Sequence, residues 1–273
     1  MPISISAKFA FETSGPTDVL LQFEAAAIPE QRITASRTIL SDAAHCARVA
    51  AEDGIGERIW LDSNGRFDVE YSATVELERM LSPISSLSRI DPHDLPGEAV
   101  KYLFDSRYCQ ADRLQSFVHD EFGGLTGGER VMAMHGWIAE HFTYAPGISD
   151  AKTTAIDSFI ERRGVCRDYA HVMVTFARAS GIPARFVSCF APQVTPQDFH
   201  AVAEVFLSDP TTPDGGAPGG APGGAWYLID ATNMANACDI VKIGVGRDAA
   251  DVSFMTSFGA SEFLFSEVSV TSD

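Results

Sequence analysis

Ile3, Ile5, Ala7, Phe9 and Phe11 alternate with mostly polar residues, and the same period returns at Phe67, Val69, Tyr71, Ala73, Val75 and Leu77. A period of two puts alternate side chains on one face, so both stretches predict half-buried strands. Asn64-Gly65 follows Ile59, Trp60 and Leu61 and precedes the second stretch. That pair suits a type I′ turn, so a hairpin is expected there. Gly15-Pro16 and Ile28-Pro29 punctuate the earlier segment. The first ninety residues thus predict an antiparallel sheet or sandwich, and no chemistry stands out in it.

Asp91-Pro92-His93-Asp94-Leu95-Pro96-Gly97 is rich in turn formers, and after it the period changes. A β-rich N-terminal domain over 1–95 and a second domain over 96–273 are expected on that ground. Residues 98–122 read as helical. Thr126 and Glu129 form a capping-box pattern, followed by Val131, Met134, Ile138 and Phe142 at helical spacing. Tyr144-Ala145-Pro146-Gly147 stops that helix, and a short helix opens at Thr153 or Thr154, with Gly164 expected at its C′ position. Tyr169, Val172, Met173, Phe176 and Ala177 then mark an amphipathic helix ending at Gly181 and Pro183. Strands are expected at 186–190, 201–207, 226–229, 240–245 and 263–270. The Pro/Gly-rich stretch from Asp209 to Gly224 reads as a flexible loop between two of them.

Composition narrows the function classes. Of 273 residues 45% are hydrophobic and 21% charged, which is ordinary for a globular chain. No run approaches the roughly 20 apolar residues of a membrane helix. Lys+Arg 20 against Asp+Glu 37 gives a net charge of −17, which repels phosphate backbones and anionic lipid. Neither nucleic acid nor a membrane is therefore expected as a partner. The first residues have no basic or apolar leader character, and five scattered cysteines without a CxxC pair make a poor disulfide framework and a poor zinc site. Reduced thiols in a cytoplasmic setting are the expectation. No phosphate-binding glycine pattern is present, and neither cofactor nor metal is expected.

One cysteine stands apart. Cys166 falls at or one turn before the start of the amphipathic helix, where unpaired N–H groups and a partial positive charge favour a thiolate and can hold an oxyanion. Cys46, Cys109, Cys189 and Cys238 read as ordinary small hydrophobes. His200 lies 34 residues on, at the start of a strand and so near a sheet rim, and an imidazole there can take a proton and return it to a leaving amine. The other six histidines read as structural. Asp230 ends an apolar strand, where it either caps a turn or orients an imidazole on the neighbouring strand. Cys on a helix start with His and Asp on adjacent strands is the papain-type arrangement. Asp168 is expected to serve the helix N-terminus, Arg167 to be solvated or to act electrostatically on the thiol, and Tyr144 to be a core tyrosine, with a side-chain oxyanion donor from its stretch as the alternative.

Gly164-Val165-Cys166-Arg167-Asp168-Tyr169-Ala170-His171, followed by Gly181-Ile182-Pro183-Ala184-Arg185-Phe186-Val187, resembles the catalytic-helix signature of bacterial transglutaminase-like proteins. Three further segments, His200–Val205, Trp226–Asn233 and Gly246–Val252, resemble that family's later motifs, and Tyr102-Leu103 with Ser106–Cys109 resembles the junction after its β-rich region. The likeness spans most of 66–260. It implies an α+β fold, a papain-like core of helices on an antiparallel sheet preceded by a β-rich domain. It also implies Cys166 as nucleophile, His200 as general base and acid, and Asp230 as orienter. Val202 stands where the family often has Trp, which would reshape the substrate groove, and Ala231 where it often has Pro.

The expected chemistry is acyl transfer from an amide of a peptide or protein substrate, with hydrolysis as the default and transfer to an amine as the variant. Two other classes remain open: a peptide-binding or assembly module with an incidental thiol, and a zinc hydrolase using Cys166 and His171.

Overall fold

The computed structural model describes residues 2–79, 81–211 and 223–272. Residues 212–222 of the expected Pro/Gly loop therefore lie outside the described residues. Its base is closed by the Asp209 N–H donating to Gly223 O at 2.9 Å.

Four strands open the chain: β1 (Ile3–Leu21), β2 (Gln31–Leu40), β3 (His45–Ala50) and β4 (Glu57–Leu77). β1 and β4 pair antiparallel along nearly their whole length, from Ile3 opposite Val75 to Leu21 opposite Ile59. Asn64-Gly65 is therefore no hairpin turn, since β4 runs straight through it. The ladder shifts register between Thr13 and Thr17 at this level, and Gly65 takes a φ of 84°. The extra residues of this irregularity, Ser14, Gly15 and Pro16, lie on β1 against Asn64 alone, so the turn-forming pair stays within β4 with partners on both flanks. Thr13 Oγ1 ties the irregularity down by donating to Ser63 O at 3.1 Å.

The helices come next: α1 (Gly97–Val100), α2 (Gln115–Phe122), α3 (Gly127–His141), α4 (Ala155–Glu161) and α5 (Cys166–Ala179). The helical stretch expected over 98–122 is broken between Phe104 and Gln110. Thr126 does sit at the N-cap of α3 but makes no side-chain capping bond. α4 has a full capping box between Thr154 and Asp157. It ends on Arg162 in the left-handed conformation (φ 57°) rather than on Gly164. Gly164 instead belongs to a two-residue strand, β6 (Arg163–Gly164), parallel to β5 (Thr143–Tyr144).

β7 (Ala184–Phe190), β8 (His200–Ser208), β9 (Gly224–Ile229) and β10 (Val241–Gly246) form a second antiparallel sheet in the order β10-β7-β8-β9. α5 packs on it through Val172, Met173, Phe176 and Ala177, against Ala203, Val205 and Ile229. After a short α6 (Ala249–Val252) the chain returns to the first sheet, where β11 (Met255–Ser257) and β12 (Ser261–Ser272) pair with β1. The N-terminal β region is thus one six-stranded sheet completed by the last strands of the chain, and a division at residue 95 separates those strands from their partner.

The two sheets share a core. Phe9, Phe23, Val69 and Tyr71 of the first pack with Phe190, Val241 and Ile243 of the second. A buried ion network reinforces the junction: Arg185 Nε contacts Glu204 Oε2 at 2.7 Å, and Arg185 also reaches Asp53 Oδ2 at 3.1 Å. Lys242 meets the same Glu204, and Tyr102 donates to Asp53 at 2.6 Å. Among the described residues no helix is long and apolar enough to cross a membrane.

Candidate active site

Three elements bring Cys166, His200 and Asp230 to one place. α5 opens on Cys166 because Asp168, three residues beyond the Val165 N-cap, folds its carboxylate back to accept from the Val165 N–H at 2.9 Å. Acids are favoured at this end of a helix. The returning carboxylate explains Gly164: a Cβ there would lie 2.6 Å from Asp168 Cβ. Ser149 and Arg167 complete the shell around Asp168, which is buried. Cys166 itself is only half-buried.

His200 begins β8, paired with Cys189 on β7, and Asp230 follows directly on β9. His200 Nε2 and Asp230 Oδ2 lie 3.1 Å apart, and both side chains are almost fully buried. That bond leaves Nδ1 for the sulfur. Nδ1 is buried without a hydrogen-bond partner among the described residues, and Cys166 lies near enough for its sulfur to act on the imidazole electrostatically. Burial pulls the imidazole down, but the hydrogen bond with Asp230 and the negative charge of Asp230 and the Cys166 sulfur outweigh it and raise the group to about 9.

Asp230 is held from the other side as well. The Thr232 N–H donates to Oδ1 at 2.9 Å, the Thr232 hydroxyl to the same oxygen at 2.7 Å, and the Ala235 N–H to Oδ2 at 2.7 Å. Burial pushes this carboxyl up, yet His200 and Thr232 win and keep it below its ordinary value. His135 Nε2 lies 3.0 Å from the Asp230 carbonyl, so it steadies the end of β9.

Tyr144 is half-buried and packed against the core beside Tyr169. β5 sets it opposite Gly164 of β6, two residues before Cys166. Its hydroxyl lies near enough to Cys166 for the sulfur to act on it electrostatically. Burial and the negative charge of the sulfur push the phenol up to about 12, so it keeps its proton at neutral pH and can donate. The parallel β5–β6 pairing that brings it there is only two residues long and leaves no periodic trace in the sequence.

A groove of about 650 Å³ opens over the sulfur and the imidazole. Arg107, Arg167 and Asp198 line it together with Phe186, Phe199, Phe254 and Phe263. Val202 does not: it is fully buried with Val187, Leu228 and Val245 beneath the sheet, so a smaller residue there leaves the groove wall unchanged. Ala231 is likewise buried in the core. All five cysteines are free. Burial pushes Cys109 up to about 12 and Cys189 well above the ordinary thiol value, while Cys46 and Cys238 lie exposed away from the groove. His171 is buried between Tyr108 and Phe186, accepts from the Ala249 N–H at 3.1 Å, and is held by burial down to about 3. It is therefore engaged in packing, and among the described residues no three His, Cys, Asp or Glu side chains group as metal ligands.

The model of the transglutaminase-like superfamily matches residues 106–231, the stretch that contains all three side chains. A proposed cysteine protease from Cytophaga hutchinsonii has a solved structure that is 30% identical, covers 99% of this chain and 90% of its own, and superposes with a TM-score of 0.85. This chain belongs to the transglutaminase-like superfamily. The uncharacterized protein ML0607 of Mycobacterium leprae is 29% identical over 124 residues, 45% of this chain and 42% of that protein. The match to that relative thus spans less than half of its length. The periplasmic domain of TgpA from Pseudomonas aeruginosa is 20% identical over 82% of this chain and 75% of that one, with a TM-score of 0.38.

Proposed function

We propose that this member of the superfamily is a thiol-dependent acyl transferase acting on amide bonds, with water as the acceptor: a peptidase or amidase. The observation that carries the reading is the 3.1 Å bond between His200 and Asp230, set behind a half-buried thiol at a helix start that opens on a groove. The description of the Cytophaga relative as a cysteine protease agrees with it.

In this reading Cys166 Sγ attacks the amide carbonyl, and the thiol proton resides on His200. The carbonyl oxygen becomes an oxyanion that accepts from the Cys166 backbone N–H and the Tyr144 hydroxyl. As the intermediate collapses, the C–N bond breaks and His200 gives its proton to the departing amine, leaving a thioester on Cys166. Water then attacks the thioester carbonyl and His200 takes its proton. The C–S bond breaks, the carboxylic acid leaves, and the thiol is restored. Water is the default acceptor because the groove is open to solvent, although an amine entering it would yield transfer instead. The chemistry needs a reduced thiol, for which the cytoplasm, a reducing compartment, is the proposed setting.

The test is covalent. An activated ester such as p-nitrophenyl acetate should leave one acetyl group on Cys166, identified by mass spectrometry, and none on the Cys166→Ala protein. Iodoacetamide near pH 6 should modify Cys166 at least about tenfold faster than the other four cysteines. Equal labelling of every accessible cysteine overturns the reading and leaves a peptide-binding module. The role given to Tyr144 has its own test. Tyr144→Phe should lower kcat by about 10²-fold with KM within about twofold, since the lost donor acts only on the developing oxyanion. An unchanged kcat removes Tyr144 from the mechanism.

A further inference from the structure

The far wall of the groove belongs to the first sheet. Met255, Thr256, Phe263 and Ser266 of β11 and β12 face Cys166 and His200 across it. β12 lies at the border of that sheet, paired with β1 on one side only. One position shows that its outer side can pair. The Gln197 side-chain amide donates from Nε2 to Val270 O at 2.9 Å and accepts from the Val270 N–H, as a peptide unit of an added strand would. In an antiparallel ladder the outward-turned residues alternate, so Val268 and Ser266 turn their N–H and C=O the same way. The open stretch is also apolar: Phe263, Leu264 and Phe265 are 43%, 37% and 39% exposed in succession. Folded proteins blunt such edges unless something pairs with them. Beside it, Phe199 and Phe254 stack with centroids 5.0 Å apart, and Phe254 meets Phe263 at 5.4 Å, giving the groove an aromatic face.

We propose that the substrate is an extended, unfolded peptide segment that docks as an added strand on the outer edge of β12, lays a large apolar side chain on the Phe199–Phe254–Phe263 face, and so presents a main-chain carbonyl to Cys166. The proposal rests on the acyl-transfer reading of the site. Main-chain hydrogen bonds supply affinity with little regard to sequence, and the aromatic face selects the side chain. The first sheet is then half of the substrate site, and a folded protein surface is not a substrate.

The experiment uses the full chain and pools of synthetic dipeptides and dodecapeptides of random sequence, with products read by mass spectrometry. Dodecapeptides carrying Phe, Leu or Tyr near the reacting bond should be turned over at least about tenfold more efficiently than dipeptides, the worth of one or two hydrogen bonds. The best of them is resynthesised with each amide N-methylated in turn, and at least two non-reacting positions should lose about tenfold in kcat/KM. Ser266→Pro removes an outward N–H without touching the ladder to β1, together with the hydroxyl that donates to Asp198 at 3.2 Å, and should raise KM for the same peptide about tenfold, with Ser266→Ala, which loses only the hydroxyl, staying near the parent. Its thermal melt serves as the check on folding, and should it fail to fold, the N-methyl series alone decides. Dipeptides used as well as dodecapeptides, no turnover of either, or N-methylated peptides used as well as their parents, overturns the proposal. Failure of p-nitrophenyl acetate to acylate Cys166 is a different result, and overturns the reading of the site beneath it.

Discussion

His200→Ala is expected to reduce kcat for amide hydrolysis by about 10⁴-fold and to abolish the preference of iodoacetamide for Cys166. The imidazole is asked to do two things. In the proposed mechanism it balances the charge of the attacking sulfur and delivers the proton without which the amine does not leave. With the group raised to about 9, it carries its proton throughout the neutral range. The alkaline limb of the rate profile should therefore fall near pH 9 rather than near the ordinary histidine value of about 6.5. The same shift acts on stability. A raised folded-state value means that the native protein binds the proton more tightly than the unfolded chain does. Its stabilising contribution is complete below about pH 6.5 and is lost as the pH rises through about 9. Urea midpoints measured across that window should decline more steeply for the wild type than for His200→Ala. Residual His200→Ala activity with the wild-type alkaline limb would assign that limb to another group.

Local patterns carry most of this fold, and where they mislead a distant partner is the reason. The strands from Ala184 to Gly246 are legible because each is a short apolar run between turn formers, and α5 because its apolar positions repeat at helical spacing. Asn64-Gly65 misleads because β1, fifty residues away in sequence, pairs with both sides of it. Gly164 misleads because the glycine is demanded by the Asp168 carboxylate folding back over it, while Arg162 takes the left-handed turn. The addition of β12 to the first sheet joins the two ends of the chain, which no local period records. At the site the asymmetry is similar. The positions of Cys166, His200 and Asp230 are legible because each sits at the end of a readable element. The placing of Tyr144 beside Cys166 and of His135 against the end of β9 leaves less trace, since one owes it to a two-residue pairing and the other to a backbone carbonyl.

Asp230→Asn should cost about 10³–10⁴-fold in kcat while leaving the fold intact, because it changes hydrogen-bonding sense without changing shape. The carboxylate accepts from four donors: His200 Nε2, the Thr232 N–H, the Thr232 hydroxyl and the Ala235 N–H. An amide has one oxygen for them. If that oxygen stays with Thr232, the amide N–H₂ takes the place of Oδ2, where it confronts the Ala235 N–H and, facing Nε2, strips it of its proton. The imidazole then carries its remaining proton on Nδ1, toward the sulfur, and cannot accept one from the thiol. If the oxygen turns to His200, the N–H₂ confronts the Thr232 N–H, which has no means of accepting, and the turn after β9 loosens. Either way the negative charge that helps raise His200 is gone, so the alkaline limb moves to lower pH. Acid stability shifts in the opposite sense. The carboxyl is held below its ordinary value, so its contribution is present above the usual carboxylate range and is lost as the pH falls through the native value. The variant should lack that acid-side loss. Pre-steady-state acylation with p-nitrophenyl acetate, followed across pH for wild type and Asp230→Asn, reads both effects at once. A variant that acylates within tenfold of the wild type and keeps its alkaline limb near pH 9 would reduce Asp230 to a cap on the turn after β9 and leave Cys166 and His200 to act as a pair.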